Sequence, residues 1–174
     1  MQLKTPSQYL YKESLYCKQP FIWLLVLGIA AYTWYAVFNQ IILDHPAGSN
    51  PAPDIMLILI WIIFGILLPF GLYKSRLTIK LNSRQLTYRF IPFHLNEHSY
   101  PIGGIKNIEP VTIRPILQFG GWGIRYGLKG KGYILRGGKG IKVSFKDGRP
   151  VYFSAKNADS IVDAFRKAIT QQRV

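Results

Sequence analysis

The segment His94-Leu95-Asn96-Glu97-His98 carries the one spacing in this chain that could support hydrolytic metal chemistry. On a helix, H-x-x-E-H puts two imidazoles and a carboxylate on one face, where the imidazoles hold zinc and the carboxylate activates water. Here Pro92 and Pro101 bracket the segment and its flanks alternate like strands. Extended, the two His share a face but lie about 13 Å apart, too far for one ion. The spacing therefore predicts an exposed hairpin loop and no metal. The glycine-rich stretch from Gly120 to Gly140 invites a phosphate cradle, but Gly130-Lys131 and Gly138-Lys139 both lack a Gly five residues earlier and a following Ser or Thr. No helix follows them to offer its N-terminus, so glycine here reads as tight turns and close strand approach. The single Cys17 excludes an intrachain disulfide and any zinc site of paired cysteines, and reads as an idle thiol ahead of an acylation site beside a membrane. No nucleophile–base set or close carboxylate pair is visible. The expectation is binding rather than catalysis, without a cofactor.

Charge is the firmest functional signal. From Lys74 onward nineteen basic residues oppose five acidic ones, Glu97, Glu109, Asp147, Asp159 and Asp163, and the whole chain carries a net charge of +14. Lys129, Lys131, Arg136, Lys139 and Lys142 form the densest cluster, interleaved with Tyr126 and Tyr133. These five, with Arg125, are the expected contacts for anionic lipid, since each basic group near an anionic leaflet contributes about 1 kcal/mol. Arg125 has two readings, a pair with Glu109 or a lipid phosphate. Trp122 reads as a core anchor ahead of an interfacial aromatic. Nucleic acid is not expected, because no binding motif accompanies the charge.

The elements that position these residues fall into two parts. Over 174 residues, 49% of them hydrophobic, the apolar and basic residues are segregated, which excludes a plain soluble globule. Twenty-five uncharged residues separate Lys18 from Asp44, and nineteen separate Asp54 from Lys74. A bilayer core about 30 Å thick needs roughly 20 apolar helical residues, so residues 20–43 and 55–73 are the expected spans. Pro20 suits a first helical turn, and Pro69 is expected to kink the second span near its exit. Residues 1–19 form a leader, read either as an interfacial helix or as a tether, and 44–54 a short external loop without Lys or Arg. Residues 74–174 form the basic part. The positive-inside rule then places both termini in the cytoplasm.

Beyond Arg76 the pattern changes to short alternating runs. Leu77 to Leu81, Gln85 to Phe90, a segment through Tyr100 and Ile102, Ile105 to Ile113, Tyr133 to Leu135, Ile141 to Phe145 and Val151 to Phe153 predict about seven antiparallel strands. Asn82-Ser83 and Asp147-Gly148 supply turns. A capping Asn157 and a one-faced apolar set, Ile161, Ala164, Phe165, Ala168 and Ile169, predict a closing helix. Tyr100-Pro101-Ile102, Gly120-Gly121-Trp122-Gly123-Ile124-Arg125 and Gly140-Ile141-Lys142-Val143 through Lys146-Asp147-Gly148 resemble the membrane-anchored bacterial pleckstrin-homology-like proteins. That resemblance implies an α+β membrane protein: a two-helix transmembrane hairpin, then seven bent strands and a capping helix. Gly120, Gly121, Trp122 and Gly123 hold structural places in it, and it supplies no catalytic residues. The basic residues of the first hairpin, Lys80, Arg84 and Arg89, lack the tight spacing of inositide sites. The expected role is to present a basic domain to anionic headgroups, to a protein partner or to a second copy. The alternative is an accessory subunit of a larger membrane complex, with Thr33, Asn39 and Gln40 offering bonds between helices.

Overall fold

The computed structural model describes residues 9–45, 51–127 and 130–172. Two compact units emerge: Cys17–Lys74 is one, and Met1–Tyr16 with Ser75–Val174 is the other.

The apolar unit is a pair of helices, each long and apolar enough to cross a membrane, Pro20–Ile42 and Asp54–Lys74. The first is α1 (Pro20–Val37), which passes into a π-helical turn over Phe38–Ile42. The second runs as α2 (Asp54–Ile60), a π-helical stretch over Trp61–Leu67, and α3 (Leu68–Lys74). Pro69 lies in α3, just after the π-helical stretch. Lacking an N–H, Pro69 cannot serve the carbonyl of Gly65, and the indole N–H of Trp34 reaches that carbonyl at 3.4 Å. The helices meet along a stripe of mostly small side chains, Val26, Ala30, Thr33 and Ala36, which are buried as expected where backbones approach closely. A Cβ on Gly65 would lie 2.9 Å from Thr33 Oγ1. Gln40 bonds across, donating to the Ala52 carbonyl and to Asp54 Oδ1 at 2.8 Å each. Thr33 and Asn39 instead donate within their own helix, to Ala30 and Tyr35. The outward faces, including Leu24, Tyr32, Ile55 and Tyr73, are exposed.

The other unit has nine strands among the described residues. The first sheet has the order β1 (Tyr11–Tyr16), β2 (Arg76–Leu81), β3 (Gln85–Ile91), β4 (His98–Pro101), antiparallel throughout. The second contains β5 (Ile105–Ile113), β6 (Gly123–Gly127), β7 (Gly130–Ile134), β8 (Gly138–Phe145) and β9 (Val151–Ser154), in the order β5-β8-β9-β7-β6. The expectation of about seven antiparallel strands needs three corrections. The leader is neither interfacial helix nor tether over Tyr11–Tyr16 but an edge strand on β2. The glycine-rich run contributes β6, which its residues do not announce by alternation. The β7–β9 pair is parallel.

Alternation puts Leu77, Ile79 and Leu81 of β2, and Leu86, Tyr88 and Phe90 of the next strand, in the core. They meet Tyr133, Phe153, Ile141 and Val143 of the second sheet, with Tyr88 and Tyr133 rings 4.8 Å apart. The closing helix α5 (Ala158–Gln172) adds Ile161, Ala164, Phe165 and Ala168 to this core. Its start is held by β1: the Glu13 carboxylate accepts the backbone N–H of Lys156 at 2.5 Å and of Asn157 at 3.2 Å. These donors lie at and just before the N-cap of α5, where a backbone N–H has no intrahelical partner.

A short helix, α4 (Pro115–Phe119), covers the opposite side of the second sheet. Gly120 ends it at φ 69°, with the N–H groups of Gly120 and Gly121 returning to Ile116 and Pro115 at 3.0 Å each, the left-handed cap that glycine adopts without strain. Phe119 then lies flat on the sheet with Ile113 and Ile134. Gly132 permits this, because a Cβ there would sit 2.9 Å from the Phe119 ring.

Candidate functional site

The His pair departs from its expected geometry. The strand β3 stops at Ile91 and β4 starts at His98, so His94 lies in the turn between them and the imidazole centroids are 4.3 Å apart. The 13 Å separation held only for an extended segment. No third metal-ligating side chain joins the pair among the described residues, and Glu97 between them is engaged by Lys80 at 2.5 Å. His94 instead borders a tyrosine cluster, where Tyr88 Oη lies 2.9 Å from Tyr133 Oη and 3.3 Å from Tyr100 Oη. Burial pushes Tyr88 and Tyr133 up to about 12, and pushes Tyr100 up as well. These phenols stay protonated near neutrality and link the two sheets. Burial first, then the neighbouring His98 and Lys131, hold His94 below the usual imidazole range.

The basic cluster read from sequence is divided by the sheet. Lys131 shares a face with Val151 and Val143, toward the core, and its ammonium sits 5.1 Å and 5.0 Å from the rings of Tyr126 and Tyr133. Lys142 points the other way and faces its cross-strand partner Glu109, at 3.5 Å. That pairing takes Glu109 away from Arg125, whose Nε–H donates to the Trp122 carbonyl at 2.8 Å. Trp122 is half-buried against Ile113, Phe119 and Ile134. Lys129 lies outside the described residues.

Arg136 and Lys139 do come together, with three residues that sequence reading left out. Lys139 pairs with Thr112, and Gly137 is packed against Pro115, so the turn from β7 to β8 adjoins the start of α4. Arg114, Arg136 and Lys139 are exposed there beside Ile116 and Leu117, which are 65% and 80% exposed. Two bare aliphatic side chains among three cations make a tip that suits an anionic, partly apolar surface.

A second basic assembly lies on the outward face of the first sheet. The register sets Lys12 opposite Lys80, Ser14 opposite Thr78, and Thr78 opposite Arg89. With Arg76 and Glu97 these residues line a cleft of about 160 Å³. Sequence reading had Lys80 and Arg89 in view. Lys12 and Arg76 were missed because they are 64 residues apart and meet only through the pairing of β1 with β2.

The chain is thus an α+β protein of two apolar helices and two sheets, with cationic surfaces on the sheet unit. The model of DUF6141, described as a family of unknown function, matches residues 5–171, and the chain belongs to that family. No curated protein and no solved structure matches it.

Proposed function

We propose that this is a two-span membrane protein whose sheet unit, a pleckstrin-homology-like domain on the cytoplasmic side, binds the anionic leaflet without catalysis. The observation that carries the reading is the tip of Arg114, Ile116, Leu117, Arg136 and Lys139, which combines exposed aliphatic groups with cations that make no ion pair among the described residues. Apolar groups that enter the headgroup layer and cations that meet anionic lipid reinforce one another there. The helix pair supplies the anchor. Its helices are about 34 Å and 31 Å long at 1.5 Å per residue, and its outer faces have no protein cover among the described residues. The pairing of β1 with β2 supports an even number of crossings, because the strands before and after the helices belong to one sheet. Two sheets closed by a C-terminal helix support the pleckstrin-like reading.

The test uses the full chain in nanodiscs of phosphatidylcholine with and without phosphatidylglycerol. Hydrogen exchange over residues 112–119 and 135–141 should slow in the anionic discs, recover in high salt, and stay fast in a variant carrying Ile116→Ser, Leu117→Ser, Arg136→Gln and Lys139→Gln. Equal exchange in neutral and anionic discs sinks the lipid contact. For the hairpin, in a Cys17→Ser background, a cysteine placed at Ala52 should be labelled only from the face opposite a cysteine placed at the exposed Lys18, and labelling of both from one face sinks it.

A further inference from the structure

The outward face of β1, β2 and β3 concentrates hydrogen-bond donors in a way that general attraction to a charged surface does not require. We propose that the cleft lined by Lys12, Ser14, Arg76, Thr78, Lys80 and Arg89 is a binding site for a phosphate group, carried by a free phosphorylated compound or by a lipid headgroup. This goes beyond the leaflet reading and uses different residues.

Four observations carry it. First, the register puts two lysines, Lys12 and Lys80, directly across from one another. Like charges in that position destabilise a sheet, and an anion between them removes the penalty. Second, four cations share the cleft with one carboxylate, Glu97, which is already paired with Lys80. Lys12, Arg76 and Arg89 have no carboxylate within ion-pairing distance among the described residues. Third, Ser14 Oγ and Thr78 Oγ1 lie 3.0 Å apart on the cleft floor. One hydroxyl donates to the other, so one O–H is left over for a ligand oxygen. The Arg76 guanidinium, the Arg89 guanidinium, whose Nε–H also donates to the His94 carbonyl at 3.4 Å, two ammonium groups and that hydroxyl form a donor set suited to a tetrahedral oxyanion. Fourth, the donors stand on rigid strands: behind Arg76, Thr78 and Lys80 the alternate residues Leu77, Ile79 and Leu81 are fully buried. Lys80 itself is only 16% exposed at its side chain, which is unusual for a lysine serving only solubility.

The experiment titrates inorganic phosphate into the full-length protein in phosphatidylcholine nanodiscs by calorimetry at fixed ionic strength. One saturable site is expected. Replacing both guanidinium forks, Arg76→Gln with Arg89→Gln, should weaken it about tenfold or more. The charge-matched pair Lys146→Gln with Arg149→Gln, exposed in the turn between β8 and β9 of the other sheet, should change it by less than about twofold, because exposed charges contribute little through screening salt. Thr78→Val leaves the net charge and the β-branched shape intact, and should weaken binding several-fold with an unchanged melting temperature. Absence of saturable binding, equal losses in the two double variants, or a folded Thr78→Val protein with wild-type affinity overturns the proposal. Discs containing phosphatidic acid distinguish the source. If they reduce affinity for added phosphate more than charge-matched phosphatidylglycerol discs do, and the reduction requires Arg76 and Arg89, the phosphate is lipid-borne. Undiminished affinity there assigns the site to a free phosphorylated compound. The leaflet reading stands or falls separately, on exchange at the Arg136–Lys139 tip.

Discussion

Removing the Glu13 carboxylate tests how β1 closes the sheet unit. The carboxylate accepts two backbone N–H groups at the start of α5, from Lys156 and Asn157. It also accepts the Tyr11 hydroxyl. Loss of a helix N-terminal acceptor costs about 1 kcal/mol, and loss of a negative charge beside the positive end of the helix about 0.5 kcal/mol more. Glu13→Ala removes both contributions and leaves partly covered donors unpaired, for a total of about 2 kcal/mol. Glu13→Gln keeps an oxygen acceptor and gives up the charge, about 0.5–1 kcal/mol. At about 4 °C per kcal/mol for a unit of this size, the expected drops in melting temperature are about 8 °C and about 3 °C. Near-UV dichroism of the full-length protein in detergent reads the sheet unit, since the apolar helices survive detergent. Hydrogen exchange of peptides covering residues 155–165 reads local opening, where about 2 kcal/mol corresponds to roughly thirtyfold faster exchange. An alanine variant that melts within about 1 °C of wild type and exchanges at the same rate would refute the clamp. The packing of Ile161 and Phe165 would then hold the helix by itself.

Three further outcomes are expected. His94 is kept neutral by burial and by His98 and Lys131, with Tyr88 and Tyr133 also against it. The unfolded chain, with an imidazole pKa of about 6.5, then binds more protons than the folded one. Stability should fall as the pH is lowered from about 6.5, and urea midpoints of His94→Gln should vary less over that window; a parallel pH profile would remove His94 as the cause. Gly140→Ala brings a Cβ into Ile113 and to 2.7 Å from the Phe153 carbonyl. It should cost about 1–3 kcal/mol in a denaturant titration, whereas Gly103→Ala, with open space around it, should be silent. Gly65→Val meets Thr33 and Trp61 and should loosen the helix pair, read as faster proteolysis in the 44–54 link; unchanged cleavage would mean that the helices separate without cost.

Legibility in the sequence followed the locality of each signal. Leu77, Ile79 and Leu81 declare β2 by alternation, and Asn82 declares its turn, where its Oδ1 accepts the N–H groups of Arg84 and Gln85. The closing helix declares itself by its one apolar face. By contrast, β1 buries only Leu15 and finds its partner across the whole apolar unit, so no local pattern marks it. The strand β6, Gly123-Ile124-Arg125-Tyr126-Gly127, has glycine at both ends and no apolar alternation. Among functional candidates the residue types were visible but their faces were not. Lys131 and Lys142 look like one cluster until β9, inserted between their strands, puts them on opposite sides of the sheet. The cleft on the first sheet was invisible for the same reason as β1, since Lys12 and Ser14 join its lining only through pairing across residues 17–74.

That long excursion has a consequence for biogenesis. The ribosome releases the first strand of the sheet before either apolar helix and its hydrogen-bonding neighbour only after both, with Tyr16 finally placed beside Arg76. If the helices enter the bilayer, β1 waits unpaired while two segments are inserted, and the sheet can be completed only when the second helix returns the chain to the starting side. A nascent chain that inserted one segment and missed the other would strand β1 and Glu13 across the lipid from β2 and α5. For a chain inserted in that way, completion of the sheet would double as a proofreading step for topology, leaving mis-inserted copies incompletely folded and open to quality-control proteases.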